Sequence, residues 1–255
     1  MRIVVGYLWA APPKEATVLP DGTVTWPGVR RIVGESERVA IEFAKTIAEA
    51  HSSMLTGVTV GDATTALPAA ASAGLACGLD DVIVVTTPQT PETATTAAAL
   101  AAAVGGLDDV GLVVLGHSSS DAGTRLLPGY LAGLLGWPVL TDVCDAGFDD
   151  DGLWAENESL HRRRRYRLDT PAVLSVAVSS RTPRQMGLRD IMAASSKPSR
   201  IVTAAELGAA NPFPFSVIGS AELGASTRQG RRISGADPDQ AARQLVAELR
   251  AKGVL

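Results

Sequence analysis

The chain alternates short runs of β-branched residues with alanine-rich stretches through its first half, and this alternation constrains the fold more than any other feature. It is typical of strands joined by crossover helices, and it predicts an α/β fold with a doubly wound, mostly parallel sheet. The predicted strands are 2–7, 54–60, 82–86 and 110–115, and the predicted helices are 36–50, 64–77, 90–104 and 126–135.

After residue 137 the rhythm changes, because strand follows strand without an intervening helical pattern. Strands are predicted at 139–146, 153–157, 160–168 and 172–179, which indicates an antiparallel extension of the sheet. The polar segment from Pro183 to Pro198 is bracketed by prolines and predicts a protruding loop with a short helix.

The end of the chain differs again. Residues 209–233 show little helical periodicity and predict an extended arm, whereas Asp237 and Gln240 have the spacing of a capping box at the start of a terminal helix. We therefore expect an α/β core over 1–208 and a C-terminal arm with its helix over 209–255.

Local signals mark the starts of elements. Ser36 is the expected N-cap of the first helix, and the sequence Thr90-Pro91-Glu92 predicts a helix start with a hydroxyl cap and proline at the first helical position. The Asp-Gly pair inside 18–26 predicts a hairpin, because this pair tolerates the positive φ angles of a tight turn.

Composition excludes several kinds of partner. The 255 residues carry a formal net charge of -4 and only 4% aromatic side chains, so we expect no nucleic acid partner. No apolar run reaches the roughly 18 residues of a membrane span, and the N-terminus does not resemble a leader, so no direct membrane insertion is expected. Cys77 and Cys144 lie far apart in the sequence, which favours a reduced, cytoplasmic setting.

The loop after the strand 110–115 carries the clearest chemical pattern. In open α/β sheets, ligands bind outside the carboxyl ends of the strands, where small residues and free backbone N–H groups favour phosphates. A flexible serine-glycine connection is the plain structural alternative. The candidate nucleotide-binding residues are Gly116, His117, Ser118, Ser119, Ser120, Asp121, Ala122, Gly123 and Thr124.

Other chemistries have weaker support in the sequence. The loop partly matches the G-x-S-x-G nucleophile elbow of hydrolases, but Ser120 replaces the second glycine, and His161 is the one histidine that follows. Neither G-x-G-x-x-G nor a P-loop occurs. The three histidines are scattered without a neighbouring carboxylate or cysteine cluster, so no metal site is predicted.

The run Arg162 to Arg165 has two interpretations. It could form a docking patch for an acidic partner or a phosphate. In a strand, however, the side chains alternate between faces, so a solvated edge strand or intersubunit salt bridges are favoured.

Three segments of this sequence resemble the electron-transfer flavoprotein β subunit family. Residues 115–138 resemble its acidic loop followed by a helix that ends in Trp-Pro, and residues 36–85 resemble its first helix and the Val-Gly-Asp strand end. Residues 170–198, with Pro-Ala-Val, Pro-Arg and Ile-Met in order, match most specifically.

The resemblance implies a flavodoxin-like or adenine-nucleotide-hydrolase-like fold and a heterodimer with an electron-transfer flavoprotein α subunit. FAD would be bound mostly by the α subunit, and the β pocket would hold AMP or, in electron-bifurcating members, a second FAD. Such a dimer carries electrons from a flavin-dependent dehydrogenase, such as an acyl-CoA dehydrogenase, to a downstream acceptor. A β subunit of this kind has no active site of its own.

Carried over by position, the resemblance also assigns residues. The partner-binding residue would be Leu188, an exposed leucine in the family. Glu35 and Glu37 depart from the family pattern, and their carboxylates would repel a phosphate. An independent nucleotide-binding protein or enzyme of the same fold therefore remains the alternative. Besides the loop 116–124, the implied cofactor-binding residues are Gly6, Gly34, Glu35, Ser36, Glu37 and Val60.

Overall fold

The structure is a computed structural model, and it describes residues 1–119, 123–159, 162–209, 230–233, 235 and 237–255. The chain divides into two compact units, Met1–Ser216 and Val217–Leu255.

The first unit holds the sheets and most of the helices. Its strands are β1 (Arg2–Gly6), β2 (Trp9–Ala10), β3 (Thr17–Val18), β4 (Val24–Thr25), β5 (Ile32–Val33), β6 (Met54–Gly61), β7 (Asp81–Thr86), β8 (Val110–Leu115), β9 (Val139–Asp149), β10 (Gly152–Ser159), β11 (Arg162–Leu168), β12 (Ala172–Val176) and β13 (Ser199–Thr203). Its α-helices are α1 (Glu35–Ala50), α2 (Pro68–Ala76), α3 (Thr93–Gly105), α4 (Leu127–Leu135) and α5 (Leu188–Ala194).

The main sheet has nine strands in the order β11-β10-β9-β12-β8-β1-β6-β7-β13. In this order, each pair of neighbouring strands from β9 through β12, β8, β1, β6 and β7 to β13 is parallel. Strand β10 is antiparallel to both β9 and β11. The predicted doubly wound, mostly parallel sheet with an antiparallel extension is therefore confirmed.

Helices cover both faces of this sheet, because side chains of successive strand residues point to opposite sides. In β1, Ile3 and Val5 belong to one buried cluster, which includes residues of α1 and α2, while Val4 belongs to the other, with residues of α3 and α4. All three are fully buried, and each contributes about 1.5–3 kcal/mol through removal of apolar surface from water.

Two predicted helix caps are wrong. Gly34, and not Ser36, is the N-cap of α1, and no side chain caps this helix. The cap of α3 is Glu92, which replaces the expected Thr90, because its carboxylate accepts hydrogen bonds from the backbone N–H groups of Ala94 and Thr95. A carboxylate at a helix N-terminus is also favoured by the helix dipole.

Other local predictions fare differently. The predicted hairpin forms, with β3 and β4 paired antiparallel. The predicted helix 64–77 is divided into a 3₁₀ turn, Ala63–Ala66, and α2, which begins at Pro68. Strand β13 is not predicted from the sequence, because its mostly exposed residues lack a long apolar run. Residues 160 and 161 of the predicted strand 160–168 lie outside the described residues.

The second unit contains α6 (Pro238–Ala251), which confirms the predicted terminal helix. The side chain of Asp237 accepts a hydrogen bond from the backbone N–H of Asp239 at 3.0 Å, and Arg231 forms an ion pair with Glu248 at 2.6 Å. The predicted arm, 209–233, lies mostly outside the described residues. In the part of the chain that the structure describes, no helix has both the length and the apolar character needed to cross a membrane.

Candidate functional site

A cavity of about 610 Å³ opens at the carboxyl ends of β1, β6 and β8. The chain winds from β1 to β6 on one side and reaches β8 on the other. This reversal is the topological switch point, where open α/β sheets bind their ligands. Polar or charged lining residues include Arg31, Glu37, Asp62, Thr65, Thr90, Glu92, Thr93, Thr96, His117, Ser118, Ser119, Thr124 and Arg125.

An aromatic wall formed by Tyr7, Trp9 and Trp26 follows β1 and its neighbouring excursion. Tyr7 is buried and its hydroxyl donates to the carbonyl of Ala70 at 2.9 Å. Burial raises the pKa of Tyr7 far above its ordinary value, so this hydroxyl stays protonated. Arg31 lies over the ring of Trp9, 5.5 Å from its centroid. Tyr7 and Trp9 are buried, and Trp26, which is 39% exposed, is the side chain of the three that keeps apolar surface exposed.

Two glycines allow the backbone to approach closely beneath the cavity. A Cβ on Gly6 would lie 2.6 Å from Cδ2 of Leu115, and a Cβ on Gly116 would lie 2.9 Å from the backbone carbon of Ser36. The loop after β8 therefore rests directly on the first turn of α1. Ser175 of β12 holds the same loop, since its hydroxyl donates to the carbonyl of Gly116 at 3.1 Å.

Two acids of the cavity wall are already engaged by the protein. Asp62 accepts hydrogen bonds from the backbone N–H of Thr64 and the hydroxyl of Thr90, both at 2.9 Å. The hydroxyl of Thr64 also donates to Asp62. All three hydrogen bonds lower the pKa of Asp62, and the one from the Thr64 hydroxyl lowers it most. The carboxylate of Glu92 caps α3. The N-terminus of this helix is therefore already occupied by an anionic group of the protein.

Glu37 is a buried acid in the first turn of α1. A Cβ on Gly34 would overlap the carboxylate of Glu37, so the glycine leaves room for it. A carboxylate at this place is stabilised by the helix dipole.

Three cationic or potentially cationic side chains of the described chain line the same cavity: Arg31, Arg125 and His117. His117 is mostly buried, and its Nδ1 lies 2.9 Å from Oδ1 of Asp142 on β9. Arg125 has a left-handed backbone conformation, with φ of 56°.

The structure brings many of the predicted cofactor-binding residues together. Gly34, Glu35, Ser36 and Gly123 do not line the cavity, although Gly34 and Ser36 support residues that do. Ser120, Asp121 and Ala122 lie outside the described residues. The predicted residues that line the cavity are Gly6, Glu37, Val60, Gly116, His117, Ser118, Ser119 and Thr124.

Sequence reasoning missed several residues of this site. Asp62 carried a usable signal, because it directly follows β6 at the carboxyl edge of a parallel sheet. Trp9 and Arg31 carried no sequence signal of this kind. The antiparallel pairing of β2 with β5 is what places the segment between β1 and α1 beside the cavity. Asp142 contacts His117, which lies 25 positions earlier in the sequence. No local sequence pattern reveals such a contact.

No group of three or more possible metal ligands from His, Cys, Asp and Glu occurs among the residues that are described. The histidine contacts agree with this. His117 is paired with Asp142, and His51 packs edge-on against Phe148, with ring centroids 5.3 Å apart.

A second surface lies on α5, within the predicted loop from Pro183 to Pro198. We call it the α5 surface; its exposed apolar residues are Met186, Leu188, Ile191 and Met192. Leu188 is 74% exposed, the highest value among the large hydrophobic residues that the structure describes. Asp190 accepts a hydrogen bond from the backbone N–H of Gly187 at 2.8 Å and fixes the start of the helix.

The arginine run forms most of the edge strand β11. Arg162 to Arg165 are all exposed, as expected for a solvated edge. Arg165 forms an ion pair with Glu156 at 2.7 Å and lies 4.2 Å from the ring centroid of Trp154. Arg163 lies 3.6 Å from Glu158. These exposed pairs contribute little to stability.

Fold and cavity together define a class: doubly wound α/β proteins with a ligand-sized cavity at the switch point of the sheet. Residues 24–207 match the electron transfer flavoprotein domain, and the chain belongs to this family. Its members are flavoproteins that carry electrons, and they act together with a second subunit and with flavin dehydrogenases. No curated protein matches the chain.

Proposed function

We propose that this chain is the β subunit of a heterodimeric electron-transfer flavoprotein and carries electrons from a flavin dehydrogenase to a downstream acceptor. The observation that carries this proposal is the α5 surface. The Pro-Arg and Ile-Met segment, by which the sequence most specifically resembles the β subunit, forms a short helix that exposes Leu188 to solvent. Exposed apolar clusters of this kind mark protein interaction sites.

The cavity supports an adenine nucleotide as the resident ligand of this subunit. Its volume of about 610 Å³ lies in the range of small-molecule sites, and its lining includes the exposed aromatic side chain of Trp26. Asp62 and Glu92 accept hydrogen bonds from the protein's own donors, and Arg31 and Arg125 line the same cavity as cations that favour a phosphate. AMP is the ligand that we propose, and a second FAD is the alternative.

Most contacts to the redox-active FAD belong to the α subunit in this proposal. The bound flavin supplies the one- and two-electron chemistry. The residues of this chain contribute by docking the dehydrogenase through the α5 surface and by holding the nucleotide.

The C-terminal helix α6 supports assembly with the α subunit. Leu245 and Val246 are 50% and 39% exposed, and no residue of α6 is buried. Such an amphipathic helix is stabilised chiefly by a packing partner. We assign the α subunit as this partner.

Expression of the chain alone and together with an α subunit tests the proposal. The isolated chain should be colourless, because it has no dinucleotide fingerprint for FAD, whereas the copurified heterodimer should show flavin absorbance. Nucleotide extraction from the heterodimer should release AMP beside FAD. Stoichiometric flavin in the isolated chain would contradict the assignment of FAD to the α subunit and indicate the bifurcating type.

An independent nucleotide-binding protein of the same fold is the second candidate. The same cavity supports it, because a volume of about 610 Å³ suits a small-molecule ligand in an independent protein as well. Failure of the chain to associate with any α subunit, combined with AMP binding by the chain alone, would support this candidate.

A further inference from the structure

Strand β9 carries a bulge beside the cavity. Leu140 pairs with Leu174 and Val143 with Val176, so two residues of β9, Thr141 and Asp142, lie opposite Ser175 alone. Asp142 adopts φ of 55°, the left-handed conformation that aspartate tolerates better than most residues. Bulges of this kind bend a strand and change the direction of a side chain, and they are frequent beside functional sites.

The redirected side chain has a partner. Oδ1 of Asp142 lies 2.9 Å from Nδ1 of His117, and the histidine side chain is only 17% exposed. A left-handed non-glycine residue persists only where its surroundings stabilise it. The pair with His117 is such a stabilising contact.

The backbone beside His117 is fixed from two directions. The hydroxyl of Ser175, opposite the bulge, donates to the carbonyl of Gly116 at 3.1 Å. On the other side, Gly116 rests on the backbone of Ser36. The residue before His117 is therefore held by contacts with both β12 and α1.

Charged groups reach the cavity from every neighbouring element. Asp142 on β9 contacts His117 without lining the cavity itself. The charged lining residues are Arg31 before β5, Glu37 on α1, Asp62 after β6, Glu92 at the start of α3 and Arg125 before α4. Asp62 and Glu92 accept hydrogen bonds from the protein, and Arg31 lies over Trp9. His117 differs from the two arginines because its ring can either donate or accept a hydrogen bond at Nε2.

We propose that His117 binds the phosphoryl group of the nucleotide as an imidazolium and that Asp142 is its positioning residue, an inference that rests on the proposed nucleotide site. With Nδ1–H donated to Asp142, Nε2 is the nitrogen left for a ligand. Protonated Nε2–H donates to a phosphoryl oxygen, whereas the neutral ring presents a lone pair there. The protonated ring is therefore the form that binds the phosphoryl group.

Calorimetric titration of the full-length chain with AMP and with adenosine at pH 6, 7 and 8 tests whether the protonated ring is required. The variant His117→Gln keeps an amide donor but does not titrate, and His51→Gln is the matched control, because His51 lies at the C-terminal end of α1 and does not line the cavity. The phosphate of AMP also titrates near pH 6, so the comparison uses the ratio of wild-type to variant affinity at each pH.

For AMP, the ratio of wild-type to His117→Gln affinity should be lower at pH 8 than at pH 6, because a ring that has lost its Nε2 proton no longer donates to the phosphoryl oxygen. Adenosine should show no such change, and His51→Gln should match the wild type. Asp142→Asn keeps a side chain suited to the left-handed conformation, and AMP affinity at pH 7 should fall roughly three- to tenfold.

A second variant separates positioning from a structural role. Asp142→Gly suits positive φ, so the melting temperature should stay the same or rise while AMP affinity falls. An unchanged AMP profile in His117→Gln would overturn the inference and leave the nucleotide site standing. Failure of both AMP and adenosine to bind the wild type at every pH would overturn the nucleotide site and the inference together.

Discussion

The cavity and the α5 surface are both rich in apolar residues, yet they present them in opposite ways. Leu100, on α3, lines the cavity and is 2% exposed. Leu188, on α5, is 74% exposed. The first side chain is enclosed by the protein's own sheet and helices, and the second extends into solvent.

The difference shows how burial separates stability from recognition. Removing an enclosed side chain takes away packing that the folded state already has, so it lowers the free energy of unfolding. Removing an exposed one leaves the folded state nearly unchanged and acts only when a partner covers it. The two regions should therefore respond differently to the same leucine-to-alanine change.

The largest expected effect is that of Leu100→Ala. This substitution should lower the free energy of unfolding by about 2–5 kcal/mol, because it removes buried contacts and leaves a larger void. Chemical denaturation of the wild type and variant measures the change. If the free energy of unfolding falls by less than about 0.5 kcal/mol, the cavity wall relaxes around the missing side chain. Burial would then not explain why Leu100 and Leu188 differ.

Gly116→Ala should have an intermediate effect. Its new Cβ would lie 2.9 Å from the backbone of Ser36, so the loop must shift at a cost of about 1–3 kcal/mol. Nucleotide affinity should fall as well. Gly133→Ala on α4 is the matched control, since a Cβ at this position would have open space around it to 4 Å, and this helical substitution should stabilise by about 0.5–1 kcal/mol. Equal melting temperatures for the two variants would contradict the close approach.

Leu188→Ala should have the smallest effect on stability, within about 0.5 kcal/mol of the wild type. Its effect should appear in partner binding, because burying a leucine contributes about 1.5–3 kcal/mol, or roughly one to two decades of affinity. Stopped-flow electron transfer from the dehydrogenase and thermal denaturation measure the two quantities. Leu67→Ala, at a residue that is 54% exposed elsewhere, is the control. Normal electron transfer with an earlier unfolding would assign Leu188 to the core.

The sequence predicts the parallel part of the fold well because its strands are apolar throughout. Strand β8 shows this, since residues 112–115 are all buried and form one uninterrupted apolar run. Strand β13 joins the same sheet but is largely exposed, so its membership depends on pairing with β7 and not on its own composition.

The candidate site is predictable only where it is local. The loop 116–119 follows a recognisable strand, and its small residues reveal it. Asp142 could not be found this way, because a bulge is defined by the pairing of two strands, and the sequence of β9 alone does not indicate which residue is additional. The Gly34 cap of α1 is hard to predict for a related reason: glycine has no side chain to form a cap hydrogen bond, and only the folded structure shows that a Cβ there would overlap the carboxylate of Glu37.

The bulge also makes β9 a strand that could tolerate the deletion of one residue. Deleting one residue from a paired strand normally turns the following side chains to the wrong face. At position 142, a deletion would leave Thr141 alone opposite Ser175 and give β9 and β12 regular pairing. A chain shortened by that residue would keep its sheet and lose the carboxylate beside His117, so natural variation in length at this position would record whether a lineage retains the pair.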